Sequence, residues 1–337
     1  MSILVSSACA SDGTIHTFTL DGEQLTPLAT SQVGDGVSAM ALDATGRRAW
    51  AGTKEPVGIP TLELDAETGV WTSVAHTSTD ESMTYLTVST DQRWLLGASY
   101  GGGFGQIWPI VHGRLGEPTS RIEFNNLHCV IELEGFAYFV SLGDDLIACY
   151  RISETGVLEP LEVPTVDAPQ GSGPRHVVAD AEGRNLYCVT EFGGEVIRFS
   201  RDPQTGVLTR QEAVTAHATD RGLEHSRIGA DPMAEHLIWG ADVHLAQGFV
   251  LASERTESTI SVLPLGEGGS LGEQVSITEV EAQPRAFKLA TDERRLLSVG
   301  ERSEHISLFV LEDDGSLRLA DRQPNGQGAN WVRLLED

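Results

Sequence analysis

Glu154-Thr155-Gly156-Val157-Leu158 and Gln204-Thr205-Gly206-Val207-Leu208 are two copies of one phrase: a polar residue, a glycine and, shortly after, a large apolar residue. Five more copies occur, as Asp21-Gly22-Glu23-Gln24-Leu25, Glu67-Thr68-Gly69-Val70-Trp71, His112-Gly113-Arg114-Leu115, Gly268-Gly269-Ser270-Leu271 and Asp314-Gly315-Ser316-Leu317. Their final apolar residues are spaced by 46, 44, 43, 50, 63 and 46 residues. The 25 residues up to Leu25 and the 20 after Leu317 together make one more period. The repeat therefore closes on itself, as it would in a ring.

A second phrase, a turn followed by an apolar strand, alternates with the first. It reads Asp43-Ala44-Thr45-Gly46-Arg47, Thr90-Asp91-Gln92-Arg93, Asp180-Ala181-Glu182-Gly183-Arg184 and Thr291-Asp292-Glu293-Arg294. Asp and Gly supply the side-chain-bonded or positive-φ positions of tight hairpins. Short segments such as Ile15-His16-Thr17-Phe18-Thr19-Leu20 and Ile306-Ser307-Leu308-Phe309-Val310-Leu311 alternate with the period of a strand. No stretch sustains a helical period. A unit of about 45 residues with four strands is a propeller blade. The expectation is all-β: a single domain over 1–337, a seven-bladed β-propeller with four-stranded antiparallel blades. Its ring should close by pairing of the N- and C-terminal strands, the latter around Asn330-Trp331-Val332, which removes an open edge. The first nine residues, Met1 to Cys9, read as a strand. The long spacing reads as an insertion between Thr215 and Glu235 that forms a surface loop over one face.

With 49 Asp and Glu against 23 Lys and Arg, the formal net charge is -26. Nucleic acid is excluded as a partner for want of a basic face. An anionic ligand would need a local cluster of Arg or His against the long-range field. Only Lys54 and Lys288 are lysines. Four widely spaced cysteines, Cys9, Cys129, Cys149 and Cys188, read as reduced core residues of a cytoplasmic protein. No apolar run approaches the ~18 residues of a membrane span.

The innermost strands of a propeller converge on one mouth, and here their starts are polar. They are Met83-Thr84-Tyr85, Asn125-Asn126-Leu127-His128, Gly173-Pro174-Arg175-His176, Ala241-Asp242-Val243-His244, Gln283-Pro284-Arg285 and Gly328-Ala329-Asn330-Trp331. A packed core would place apolar residues there, so these groups read as a site. One strand outward come Thr190-Glu191-Phe192, Ser253-Glu254-Arg255 and Gly300-Glu301-Arg302. The recurrence of Glu191, Glu254 and Glu301 at apparently equivalent places suggests an architectural part, above all for Glu254 and Glu301. Six further histidines, His16, His76, His112, His217, His225 and His236, read as structural, and Trp331 as packing.

Several of these stretches, with Asn185-Leu186-Tyr187-Cys188-Val189-Thr190-Glu191, His305-Ile306-Ser307 and Gly326 to Val332, resemble the bacterial propeller-type 6-phosphogluconolactonases along essentially the whole chain. The stretch Lys54 to Thr61, with Pro56 and Pro60, departs from that family's pattern, as do the residues around His128 and the short loop after His244. The related fungal 3-carboxy-cis,cis-muconate lactonizing enzymes imply a catalytic set of His128, Arg175, Glu191 and Arg255. The resemblance implies a lactonase acting on a sugar lactone with an anionic group, foremost 6-phosphogluconolactone; no closely spaced metal motif stands in the sequence, and neither metal nor cofactor is expected. His128 is the first choice of general base, with His176 and His244 as rivals. Glu191 would orient the imidazole or carry a proton, and Arg175 and Arg255 would hold the oxyanion or the anionic group. His176, Asp242, His244, Arg285, Tyr85 and Asn330 would form the substrate-binding wall. No Gly-x-Ser-x-Gly elbow offers a serine nucleophile. The alternatives are an intramolecular lyase of the carboxymuconate type and a non-enzymatic interaction platform.

Overall fold

The computed structural model describes residues 3–335, so Met1, Ser2, Glu336 and Asp337 lie outside the account. Seven antiparallel sheets follow one another along the chain. Blade I contains Ile3–Cys9, Thr14–Asp21 and Gln24–Gln32, with Ala329–Leu335 as its innermost strand. Blade II runs from Met40–Leu42 to Val70–Ser78, and blade III from Tyr85–Val88 to Ser120–Glu123. Blade IV spans Leu127–Leu133 to Leu158–Asp167, and blade V Pro174–Ala179 to Leu208–Thr215. Blade VI spans Gly240–Ala246 to Ser276–Glu279, and blade VII Ala286–Leu289 to Leu317–Pro324. Five blades have four strands; blades II and III each gain a two-residue strand, Thr53–Lys54 and Arg114–Leu115.

Inner strands touch those of neighbouring blades in sequence order all round, and the last meets the first. Closure is the pairing of Ile3–Cys9 with Ala329–Leu335, from Leu4 opposite Leu335 to Ala8 opposite Trp331. Both chain ends thus complete one blade, and neither leaves an unpaired edge.

The repeated phrase has a structural reason. Its glycine sits in the turn before the outermost strand, and in blades I and IV to VII its carbonyl accepts a hydrogen bond from the preceding blade. Thr119 Oγ1 reaches Gly156 O (2.7 Å), Tyr138 Oη reaches Gly206 O (2.8 Å), Tyr187 Oη reaches Gly269 O (2.7 Å) and Ser276 Oγ reaches Gly315 O (2.6 Å). The apolar residue that follows is buried in blades I, II, IV, V and VII, as Leu25, Trp71, Leu158, Leu208 and Leu317. The phrase is a clip between blades, which is why it recurs once per blade.

Apolar faces of adjacent sheets pack into continuous clusters with Trp50, Trp108, Phe104, Phe139 and Phe199 fully buried. The four cysteines are buried and unbridged. In the insertion after Thr215, Thr219–Arg221 forms a 3-10 turn and Pro232–Glu235 a single α-helical turn, whose N-cap Asp231 accepts from Ala234 N–H (3.1 Å). No helix among the described residues is long and apolar enough to cross a membrane.

Candidate functional site

Irregularities at one end of the inner strands build the site. Leu127 and Cys129 pair with Ser141 and Val140, leaving His128 outside the ladder. Pro174 and His176 pair with Thr190 and Val189, leaving Arg175 outside it. Ala329 and Trp331 pair with Cys9 and Ala8, leaving Asn330 unpaired. A β-bulge frees one residue from the period of two and re-aims its side chain. His128, Arg175 and Asn330 are thereby turned to a common cavity of about 510 Å³, a size usual for small-molecule sites.

A second ring comes from residues one or two places past the second strands of blades V, VI and VII. Glu191 N–H donates to Gly173 O (2.7 Å), Arg255 N–H to Trp239 O (2.9 Å) and Glu301 N–H to Gln283 O (3.0 Å). Gly173 must be glycine: its φ is +63°, and a Cβ would lie 2.5 Å from the Phe192 ring. These bonds correct an expectation. Arg255, not Glu254, occupies the place of Glu191 and Glu301. Glu254 instead turns back to accept the N–H groups of Trp239 (2.8 Å), Thr256 (3.0 Å) and Glu257 (2.7 Å).

Glu191 is clasped by two arginines. Its Oε2 accepts from Arg175 Nε (2.8 Å) and Arg255 Nη2 (2.9 Å). Burial alone would raise this carboxyl, but Arg255 and Arg175 hold it below the ordinary range. Burial pulls Arg175 down, and Arg255 to about 9; both stay charged at neutral pH. Arg255 also lies 3.8 Å over the Trp239 ring, which the insertion delivers to the cavity. One blade on, Arg285 Nη1 bonds Glu301 Oε1 (2.9 Å) in a more open pair.

Behind this wall a buried chain fixes Arg175. Its Nη1 donates to Ala241 O and lies 3.2 Å from His176 Nε2. With a guanidinium as donor, His176 Nε2 must accept, so the imidazole carries its proton on Nδ1 and donates it to Asp242 Oδ1 (2.8 Å). Asp242 also accepts from Val243 N–H (3.0 Å) and Phe287 N–H (3.2 Å), and its Oδ2 lies 3.3 Å from His244 Nε2. Burial would raise Asp242, but its histidine partners outweigh that and hold it well below the ordinary value. Burial, then Arg175, lowers His176 to about 4, so it is neutral.

His128 is buried, packed against Tyr100 (5.7 Å between centroids) and His176 (5.1 Å), and its Nδ1 has no hydrogen-bond partner among the described residues. Burial, then Arg175, His176, Arg285 and Arg255, lowers its pKa well below the ordinary value. At neutral pH it is a neutral imidazole, the protonation state a general base requires, in surroundings that disfavour the imidazolium.

The structure brings His128, Arg175, Glu191, Arg255, Arg285 and Asn330 to one cavity. It places Tyr85, His176, Asp242 and His244 behind the cavity wall rather than on it. Tyr85 packs edge-on against His176 (5.1 Å) and Trp331 (5.2 Å), and His244 against Phe287 (4.8 Å). His176 and His244 follow a bulge, Asp242 lies within the one between Gly240 and Val243, and Tyr85 sits on a regular ladder; none of the four is the residue turned to the cavity. Of the three candidate bases, only His128 lines the cavity; the Nε2 lone pair of His176 is taken by Arg175. Glu191 makes no hydrogen bond to His128 among the described residues; it holds arginines rather than an imidazole. Sequence reasoning missed Tyr100, Trp239 and Lys54 on the wall. Tyr100 was detectable in principle, since it follows its second strand, Trp94–Ser99, as Glu191 follows Asn185–Thr190.

Comparison with known proteins agrees with this architecture. The chain is 28% identical over 329 residues to the 6-phosphogluconolactonase of Pectobacterium carotovorum subsp. carotovorum (strain PC1), covering 95% of each chain. It is 26% identical to that of Klebsiella pneumoniae (strain 342), covering 94% of each. Among solved structures, the periplasmic gluconolactonase PpgL of Pseudomonas aeruginosa superposes with a TM-score of 0.88 at 18% identity, covering 100% of this chain and 99% of that one. A protein from Lactobacillus plantarum gives 0.87 at 20% identity with full coverage of both. The family model described as "Lactonase, 7-bladed beta-propeller" matches residues 2–334. The chain belongs to the seven-bladed β-propeller lactonase family.

Proposed function

We propose that the cavity hydrolyses a sugar lactone carrying an anionic group, with 6-phosphogluconolactone the leading substrate. One observation carries this reading: a neutral, buried imidazole shares a small cavity with two arginines locked on one carboxylate. The curated relatives' name supports the choice of substrate.

In this scheme water attacks the lactone carbonyl while His128 takes its proton. Arg175 and Arg255 stabilise the oxyanion that develops, and because Glu191 already fixes them, little reorganisation accompanies the charge. The intermediate collapses with cleavage of the ring ester bond, and the leaving alkoxide recovers the proton from His128. Asp242, His176 and Glu191 position the arginine side of the site and exchange no proton with substrate. No serine or cysteine intermediate is invoked, and the oxygen added to the carboxylate comes from water.

The test is proton release from freshly prepared 6-phosphogluconolactone at constant pH, with the spontaneous rate subtracted. The reading requires acceleration that saturates with substrate; a rate equal to buffer alone rejects it. Lactonization of a carboxymuconate would use the same groups and would show as loss of diene absorbance.

A further inference from the structure

Lys54 stands apart from every other cation in the cavity. It is exposed, lines the wall, and its side chain makes no ion pair or hydrogen bond among the described residues. Arg175 and Arg255 share Glu191, and Arg285 has Glu301. Each of these guanidinium groups already holds a carboxylate before any ligand arrives, although Arg175 and Arg255 share one. Glu81, on the same side as Lys54, bonds Ser82 N–H (2.9 Å) and Ser82 Oγ (3.3 Å) instead.

Its position is built rather than incidental. Lys54 belongs to the two-residue extra strand of blade II, paired with Val57 and tied by its N–H to Asp35 O (2.9 Å). Its stem lies over Gly36, which also lines the cavity. A Cβ on Gly36 would fall 2.8 Å from Lys54 Cβ and Cγ and 2.9 Å from Cδ, and the glycine φ of +67° disfavours any other residue. Ring order supplies the direction. Blade II lies three blades from blade V one way round and three from blade VI the other way. Lys54 therefore faces the seam that carries Arg175, Glu191 and Arg255 across the mouth.

We infer that Lys54 binds the anionic group that the substrate carries outside its lactone ring, and so sets a preference for phosphorylated over unphosphorylated lactone. This rests on the hydrolytic reading above. A 6-phosphorylated aldonolactone carries its phosphate on an exocyclic carbon beside the ring ester oxygen, so with the carbonyl oxygen on Arg175 and Arg255 the phosphate projects from the ring toward the rest of the wall, where Lys54 is the cation that pairs with no carboxylate among the described residues. The lysine acts in ground state and transition state alike, so its loss raises KM rather than lowering kcat.

Lys54→Gln and Lys54→Arg are compared with the unmodified protein on 6-phosphogluconolactone and glucono-δ-lactone. Lys54→Gln is expected to raise KM for the phosphorylated substrate by about 10- to 100-fold, the range for losing a charged hydrogen bond. Its kcat, and both constants for glucono-δ-lactone, should stay within about 2-fold, and Lys54→Arg should recover most of the loss. Parallel changes on both lactones, or no change on either, overturn the assignment. Titration calorimetry with 6-phosphogluconate and gluconate separates this from failure of the hydrolytic reading. If neither lactone is hydrolysed, that reading falls, while a phosphate preference abolished in Lys54→Gln still upholds Lys54. Absence of any such preference in the unmodified protein refutes it.

Discussion

Blades V and VII carry the same two residues in the same two places, yet the pairs differ. Arg175 and Glu191 are 1% and 13% exposed; Arg285 and Glu301 are 31% and 24%. The difference comes from blade VI, between them. It has Ala241 where its neighbours have arginine, and Arg255 where they have glutamate. The small Ala241 leaves its carbonyl to Arg175, and Arg255 becomes the second clasp on Glu191. Equivalent positions on a repeat thus become a rigid half and an adjustable half of one cavity. Preorganised dipoles and charges stabilise transition states, whereas a half-exposed ion pair contributes little on its own. Chemistry is expected on blades IV to VI and a modest binding role on blade VII.

That contrast can be broken by exchanging what is removed. His128→Ala and Glu191→Gln should each lower kcat by roughly 10²–10⁴, the range for lost acid–base or charge-positioning help, with the fold retained by circular dichroism. Turnover unchanged in both would dissolve the rigid half as a catalytic unit. In stability, Glu191→Ala should cost about 3–5 kcal/mol in urea unfolding, because two buried guanidinium groups lose their counter-charge. Glu301→Ala should cost only ~0–1 kcal/mol by the same measurement. Equal costs would mean the two pairs are interchangeable.

Smaller effects sharpen the picture. Asp242→Asn removes the acceptor that fixes the His176 tautomer, so Arg175 loses its imidazole partner. A fall of about 10- to 100-fold in kcat with little change in KM is expected, from the worth of a hydrogen bond to a charged group. Arg285→Ala should change kcat by less than about 3-fold, given the value of an exposed ion pair; a larger loss would move blade VII into the chemistry. The pH dependence is predicted by sign. The folded pKa of His176, about 4, lies below its unfolded value near 6.5. As pH falls through that window the unfolded chain takes a proton that the folded chain refuses. Stability should then drop by about 1.4 kcal/mol per pH unit for this group, with no contribution above pH ~6.5. His176→Gln should flatten the slope in urea titrations between pH 7 and 4.5.

The ring itself was legible because its signal is local: each glycine turn clips one blade to the last, so it repeats in sequence wherever the contact repeats in space. His128, Arg175 and Asn330 were legible as polar residues where a core should be apolar. Their neighbours were misplaced for a physical reason. A bulge shifts the alternation by one residue, and sequence does not show which of Arg175 and His176 it frees. The same uncertainty, at the bulge between Gly240 and Val243, put Asp242 and His244 on the cavity wall; Tyr85, on a regular ladder, packs against His176 and Trp331 instead. Glu254 looked equivalent to Glu191 because both sit where a second strand ends, but Glu254 closes Phe249–Glu254 whereas Glu191 follows Asn185–Thr190, so Arg255 holds the matching place. Lys54 and Trp239 were invisible because ring closure and the insertion, both long-range effects, bring them to the mouth.

The most direct test of the account is proton release from 6-phosphogluconolactone by three proteins side by side: unmodified, Glu191→Gln and Glu301→Gln. The account predicts clear acceleration by the first, near-complete loss in the second and near-normal turnover in the third. It is contradicted if the unmodified protein does not exceed the spontaneous rate, or if the two glutamate variants fall equally.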